Sequence, residues 1–226
     1  MGDSVDPGRD RVTLDGSLLE LPRAARYLAY YKPRGALVSR VSQGGRPTIY
    51  DSLRAEARGL HPVGRLDRDS EGLLLLTDDG LLAEALLHPR TGLIRRYEVR
   101  VRPVPGPPAI RALRAGTEVE GAHVKPLRVI LLGSEGEEGI LEVDLAEGRK
   151  REIRVFAREA GLSVIRLVRV AFGPLRLGGL KPGGTRPLGA AEIEALRAAA
   201  ARGGPRAPRS RPAASPRPRR GDTLRH

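Results

Sequence analysis

The sequence predicts an α/β domain in which about six to eight strands are separated by short helices. Three stretches carry that prediction. Gly72-Leu73-Leu74-Leu75-Leu76-Thr77 is an apolar run with the length of a strand buried on both faces. Residues 95–102 alternate, with Tyr97, Val99 and Val101 on one face and Arg96, Glu98, Arg100 and Arg102 on the other. Within 147–161, Ile153, Phe156, Ala157 and Ala160 recur at the spacing of a helix that buries one face.

The remaining elements follow in order. Residues 5–16 read as a turn, a short strand and a glycine turn. Tyr27–Lys32 is a strand with Tyr27, Ala29 and Tyr31 on one face and Leu28 and Tyr30 on the other. Lys32-Pro33-Arg34-Gly35 is a basic turn, after which 36–41 continue extended. Gln43-Gly44-Gly45-Arg46-Pro47 is a loop, and 49–57 form a short helix. A polar loop from His61 then leads into the apolar strand at 72–77. Asp78-Asp79-Gly80 breaks that strand, and 81–87 form a short helix capped by Asp78 or Asp79. Residues 103–108 are a proline-rich linker into a helix at 109–115. Residues 124–132 and 140–145 form a strand pair joined by a Gly/Glu loop at 133–139. The helix within 147–161 ends with Gly161 as its C′ residue. Arg151, Arg154 and Arg158 form a basic stripe beside its apolar face, which on pattern alone suits solvent as well as a ligand. Residues 165–172 are a strand, and 190–201 a closing helix with Ile193 and Leu196 inward.

Composition narrows the class. A chain of 226 residues has room for one sizeable domain or one and a half. Net charge is +13, and residues 202–226 supply eight arginines against one aspartate. The tail and the rest of the chain are both basic, which suits a polyanionic partner. The tail is Arg/Pro-rich, cannot bury a core and is expected to be disordered. Cysteine is absent, which excludes disulfides and Cys-ligated zinc and fits the cytosol. There is no apolar run of about 18 residues and no secretory leader pattern, so no membrane association is expected.

The loop after His61 concentrates the chemistry. It presents Arg65, Asp67, Asp69 and Glu71 just ahead of a rigid strand, and loops held by rigid scaffolds are where catalysis sits. Asp67-x-Asp69-x-Glu71-Gly72 superficially matches a calcium loop. Against that, Asp78 stands where a bidentate Glu belongs, the leucines 73–76 fill a segment that should be solvated, and no helix precedes Asp67. No metal is expected.

Gly64-Arg65-Leu66-Asp67-x-x-Ser70-Glu71-Gly72-Leu73-Leu74-Leu75-Leu76-Thr77-x-Asp79-Gly80 resembles the catalytic motif of the RsuA/RluB-type pseudouridine synthases, which isomerise single uridines in ribosomal RNA. Further stretches resemble the same family. They are Lys32-Pro33-x-Gly35, Arg96-Tyr97-x-Val99, Arg166-Leu167-x-Arg169-Val170-x-x-Gly173-Pro174-Leu175 and Leu180-Lys181-Pro182-Gly183. Gly148-Arg149-Lys150-Arg151-Glu152-Ile153-Arg154 is similar to the family's Gly-Arg-x-x-Gln-Ile-Arg, with Glu152 in place of Gln.

The resemblance covers nearly all of residues 24–201 and implies a pseudouridine synthase catalytic domain there. Its fold would be a mixed, mostly antiparallel sheet with flanking helices and a central cleft. Asp67 would be the catalytic carboxylate, acting as a nucleophile at C1′ or as a base leading to a glycal. Tyr97, a core tyrosine by alternation alone, would stack on the target base. Arg154 would pair with Asp67, and Ile153 would belong with the substrate-binding residues. Arg65 would fix the loop or contact RNA. Lys32, Arg34, Arg149 and Lys150 would bind RNA. Isomerisation exchanges no atoms or electrons with another molecule, so no cofactor is expected. Residues 1–23 read either as the remnant of an S4-like RNA-binding domain or as a leader. The basic C-terminal extension favours large-subunit over small-subunit ribosomal RNA as partner. A cytoplasmic monomer is expected. A catalytically inactive rRNA-binding assembly factor is the alternative. A hydrolase using paired carboxylates fits less well, because glycosidase carboxylates come from separate elements.

Overall fold

The computed structural model describes residues 24–203, and ahead of them two short strands, β1 (Thr13–Leu14) and β2 (Ser17–Leu18). The chain then runs β3 (Tyr27–Lys32), α1 (Ile49–Ser52), β4 (His61–Pro62), β5 (Glu71–Thr77), α2 (Gly80–Leu87), β6 (Arg95–Arg102) and α3 (Pro107–Ala115). It continues through β7 (Thr117–Val119), β8 (Ala122–Val124), β9 (Arg128–Glu135), β10 (Glu138–Leu145) and α4 (Glu152–Glu159). It closes with β11 (Ser163–Phe172), β12 (Leu175–Arg176), β13 (Thr185–Pro187) and α5 (Ala190–Gly203).

One sheet organises the domain, in the order β13-β3-β5-β11-β6-β10-β9, with β4 added to β5 and β12 to β11. The β5–β11 pairing is parallel and its other pairings are antiparallel. This is the mixed, mostly antiparallel sheet that the resemblance implies.

β5 shows why the apolar run is continuous. Leu73 and Leu75 pack with Phe172, with Leu86 of α2 and with Leu196 of α5. Leu74 and Leu76 point the other way, against Tyr30, Ile49, Leu53 and Leu60. Both faces are covered, so the four leucines alternate between two apolar faces. Truncating one such leucine to alanine costs about 2–5 kcal/mol. A third cluster joins Val99 and Val101 of β6 and Leu141 and Val143 of β10 to Leu113 of α3 and Phe156 of α4.

The strand before β5's leucines also carries a close approach. Gly72 has φ +106° and sits opposite Arg169 in the parallel register. A Cβ there would run into the Arg169 backbone, so β5 and β11 lie together only because residue 72 has none.

Several boundaries differ from the sequence reading. The helix expected at 49–57 stops at Ser52, because Leu53 and Arg54 are extended and Leu53 turns into the core. A single 3-10 turn, Ala55–Ala57, follows. The helix within 147–161 begins only at Glu152, since Arg151 adopts left-handed φ 55° and the preceding residues form a loop. Val124 ends β8, which pairs with β7, and the strand expected to start there begins at Arg128. Asp79 is the N-cap of α2, accepting the Leu82 N–H at 2.9 Å, while Asp78 pairs with Arg26 at 2.9 Å. β1 and β2 form a two-stranded antiparallel hairpin. The rest of the expected S4-like or leader segment, 1–23, lies outside the described residues, as does the basic tail from 204 onward. Among the described residues no helix is long and apolar enough to cross a membrane.

Candidate active site

The loop between β4 and β5 is built from below. Val63 N–H donates to the Leu75 carbonyl at 2.8 Å, which keeps the chain beside β5. A turn then closes as Ser70 N–H donates to the Asp67 carbonyl at 3.1 Å. Lys32, at the end of β3, reaches under this turn. Its Nζ donates to the carbonyls of Ser70 at 2.7 Å, Pro33 at 3.1 Å and Arg68 at 3.3 Å. Gly35 N–H adds a bond to the Arg68 carbonyl at 2.7 Å.

Lys32, expected to bind RNA, faces the chain's own backbone in this structure. The side chain is 0 % exposed and its donors are taken up by backbone carbonyls. Burial pushes its ammonium down to about 8, against the opposing pull of Asp67, Asp69 and Glu71.

The three acids of the loop have different surroundings. Asp69 pairs with Arg68 at 3.1 Å and Arg151 at 3.6 Å. The Arg68 hydrogen bond is the chief reason its carboxyl lies below the usual range. Glu71 is buried and accepts Arg166 Nε at 2.8 Å, Arg166 Nη2 at 3.1 Å and the Tyr31 hydroxyl at 2.9 Å. The Arg166 bond holds its carboxyl down as well. Asp67 is half-buried on the wall of a cleft of about 610 Å³. Among the described residues no ion pair is formed with its carboxylate; Arg68, Arg151 and Arg166 engage Asp69 and Glu71 instead.

Arg154 therefore differs from expectation. It makes no ion pair with Asp67, and its Nη2 and Nη1 donate to the backbone carbonyls of Asp69 at 3.2 Å and Val164 at 3.4 Å. Burial, then the neighbouring Arg151, lowers its guanidinium, while Asp69 and Asp67 act in the opposite sense. Arg154 braces the loop backbone and faces Asp67 through space.

The cleft brings together Arg65, Asp67, Tyr97, Arg149, Lys150 and Ile153. Arg34 stands outside it, exposed, with Nη1 on the Ile165 carbonyl at 3.3 Å. Arg154 lines an adjoining cleft with Arg158, and Lys150 and Arg151 line both. Tyr97 is 8 % exposed and packs in the β6–β10 core cluster, yet it also lines the cleft. The alternation and the resemblance thus each describe one side of the same ring. Glu152 is buried in the cleft wall, where Oε2 accepts the Arg149 N–H at 3.1 Å. Burial pushes its carboxyl up. The carboxylate at this position accepts a bond from its own loop.

One cleft residue was assigned no role from sequence. Arg169 is almost fully buried at the cleft, cross-strand from Tyr97. The available signal was an arginine sharing strand parity with Leu167 and Ala171, two inward positions. The Tyr31–Glu71–Arg166 group was missed too, because its members come from three separate strands.

Comparison with known proteins agrees with the geometry. Residues 26–159 match the family model described as RNA pseudouridylate synthase. The chain is 39% identical over 184 residues to ribosomal large subunit pseudouridine synthase B of Yersinia pestis, covering 78% of this chain and 58% of that protein. It is 36% identical over 179 residues to an uncharacterized RNA pseudouridine synthase of Aquifex aeolicus, covering 79% of this chain and 72% of the relative. A crystal structure of a pseudouridylate synthase aligns with a TM-score of 0.68 at 29% identity, covering 86% of this chain and 83% of that one. The chain spans 58% to 63% of the length of the large-subunit relatives from Yersinia pestis and Escherichia coli K12.

Proposed function

We propose that this chain, which belongs to the RNA pseudouridylate synthase family in its RsuA/RluB-type branch, converts uridine to pseudouridine in ribosomal RNA of the large subunit. The observation that carries the reading is Asp67. It is a carboxylate on a braced turn, in a cleft, free of ion pairs among the described residues while its neighbours are paired.

The reaction suits such a group. The N1–C1′ bond of uridine breaks, the uracil turns while it stays bound, and C5 bonds to C1′ as the C5 proton leaves and N1 takes up a proton. Nothing is oxidised or reduced and no atom comes from a second substrate. Asp67 acts either as a nucleophile at C1′ or as a base that leads to a glycal. An unpaired carboxylate serves both routes, because no arginine has to be displaced first. The target nucleotide leaves its stack to reach the cleft, where Tyr97 offers an aromatic face. Arg65, Arg149 and Lys150 line the same cleft and supply cations for the backbone phosphates. Arg154 acts on the loop rather than on the base. The relatives named for the large subunit support that substrate over the small subunit. The reading extends to a cytoplasmic monomer with the catalytic domain at 24–201 and a basic arm at 202–226 that adds phosphate contacts.

The test is tritium release from C5-labelled uridine in large- and small-subunit rRNA transcripts, with wild type and Asp67→Asn. Release from the large-subunit transcript by wild type, and loss of it with near-normal RNA affinity in Asp67→Asn, is expected. Turnover above a few per cent in Asp67→Asn sinks the assignment of Asp67. Release from the small-subunit transcript alone refutes the choice of substrate.

A further inference from the structure

We propose that Arg169 is a positioning residue of the active site that locks the Tyr97 side chain to the strand following Asp67. The inference rests on the reaction proposed above. It begins with the sheet order. β5 carries the loop of Asp67 and β6 carries Tyr97, but the two strands do not pair; β11 lies between them. The placement of Tyr97 relative to Asp67 is therefore transmitted through β11. Arg169 is the β11 residue in register with both, opposite Gly72 on one side and Tyr97 on the other.

Its side chain completes the link. Nε donates to the Leu73 carbonyl of β5 at 2.7 Å. On the other side Tyr97 is its cross-strand partner, so the two side chains stand on one face of the sheet, and the guanidinium lies over the Phe172 ring at 5.2 Å. Packing alone does not account for an arginine here. The residue is 2 % exposed, and among the described residues no carboxylate pairs with it. Its buried Nη2 has no hydrogen-bond partner among the described residues. Burial lowers the guanidinium, and Arg95 nearby lowers it further. An unpaired buried cation costs stability that an apolar side chain of similar size would not. What the arginine provides and methionine would not is a guanidinium fixed on the Leu73 carbonyl of β5 beside Tyr97 of β6.

The experiment compares wild type, Arg169→Met, Arg169→Lys, Tyr97→Phe and the Met/Phe and Lys/Phe double variants on one uridine-containing rRNA transcript. Turnover is measured at saturating RNA, affinity by titration of labelled RNA, and folding by thermal denaturation. Arg169→Met is expected to lower kcat about 100-fold, the scale of a misplaced catalytic group, with Kd changed less than about threefold. In the Tyr97→Phe background the same change should cost less than about threefold more, because hydroxyl and guanidinium act as a unit. Arg169→Lys keeps a cation but cannot reach both partners, and should fall between. Unchanged kcat with a lowered thermal midpoint makes Arg169 a packing residue and overturns the inference, as does full additivity with Tyr97→Phe. If Arg169→Met does not fold, Arg169→Lys and its Tyr97→Phe double decide by the same additivity. Wild type that forms no pseudouridine refutes the proposed reaction, and the inference with it. Active wild type beside fully active Arg169→Met refutes the inference alone.

Discussion

Gly72→Ala tests how tightly the sheet sets the active-site loop. The backbone at residue 72 has φ +106°, a conformation that costs an L-residue about 1–3 kcal/mol. The added Cβ would also meet the Arg169 backbone, with its nitrogen only 2.7 Å away. Relief requires β5 and β11 to move apart, a shift of the kind that costs about 1–3 kcal/mol in a packed interior. The two contributions together lower stability by about 2–6 kcal/mol. For a folded unit of this size that is a fall of about 5–15 °C in thermal midpoint. Because residue 72 follows the turn of Asp67 by only a few residues, turnover should fall at temperatures where the variant is still folded. The assay is thermal unfolding by circular dichroism, with turnover at 25 °C alongside. Gly80→Ala is the control, since that glycine opens α2 without a left-handed φ and a Cβ there meets nothing within 4 Å. Its change should stay within about 0.5 kcal/mol. A Gly72→Ala midpoint within about 2 °C of wild type would refute the claim that the approach of β5 to β11 depends on the missing side chain.

Two further predictions concern pH. Lys32 titrates at about 8 when folded, below its unfolded value of about 10.4, so between those values the unfolded chain binds more protons and wild type gains stability as pH rises. Lys32→Met should be less stable than wild type throughout, by at least about 2 kcal/mol for the carbonyls left unbonded, and urea midpoints should show the gap wider at pH 9.5 than at pH 7; a gap that narrows contradicts the burial argument. Glu71 shifts the other way. Its folded carboxyl is held below the usual range by Arg166, so its contribution is complete above the unfolded value of about 4.3 and is lost as pH falls through the folded value. Arg166 is partly exposed, so Glu71→Gln should cost only about 1–2 kcal/mol at pH 7. The two urea-midpoint curves should converge on acidification, and parallel curves down to pH 3 would show that the pair is not the cause.

The parts legible in the sequence were those with a long enough period. β5 and β6 announce themselves because seven or eight residues repeat one rule of burial. β7, β8, β12 and β13 are two or three residues long, too short for a pattern, and are held by pairing partners that a local reading does not see. The late start of α4 has a similar origin. The apolar spacing at Ile153, Phe156 and Ala157 is real, but nothing local announces the left-handed Arg151 that turns 148–151 into cleft wall. Lys32 shows the limit most clearly. A lysine at the end of a strand, before Pro33 and Gly35, reads as a surface cation. It is buried because the turn at 67–70 folds over it from the far side of the sequence.

The arrangement of charge around Asp67 reverses what a motif alone suggests. An arginine paired with the catalytic carboxylate looks like the natural way to keep it charged, and Arg154 was the candidate. The structure distributes the work differently. Arg68 and Arg151 engage Asp69, Arg166 engages Glu71, and Lys32 and Arg154 hold backbone carbonyls of the same turn. The turn is thus fixed by contacts that avoid the Asp67 side chain, while both Lys32 and Arg154 still act on it through space. For the proposed reaction this separation is useful. A carboxylate clamped by a bidentate arginine would have to break charge-assisted hydrogen bonds before attacking C1′ or taking a proton, adding to the barrier. A turn anchored through its backbone and through Asp69 stays in place while Asp67 keeps its oxygens for the sugar.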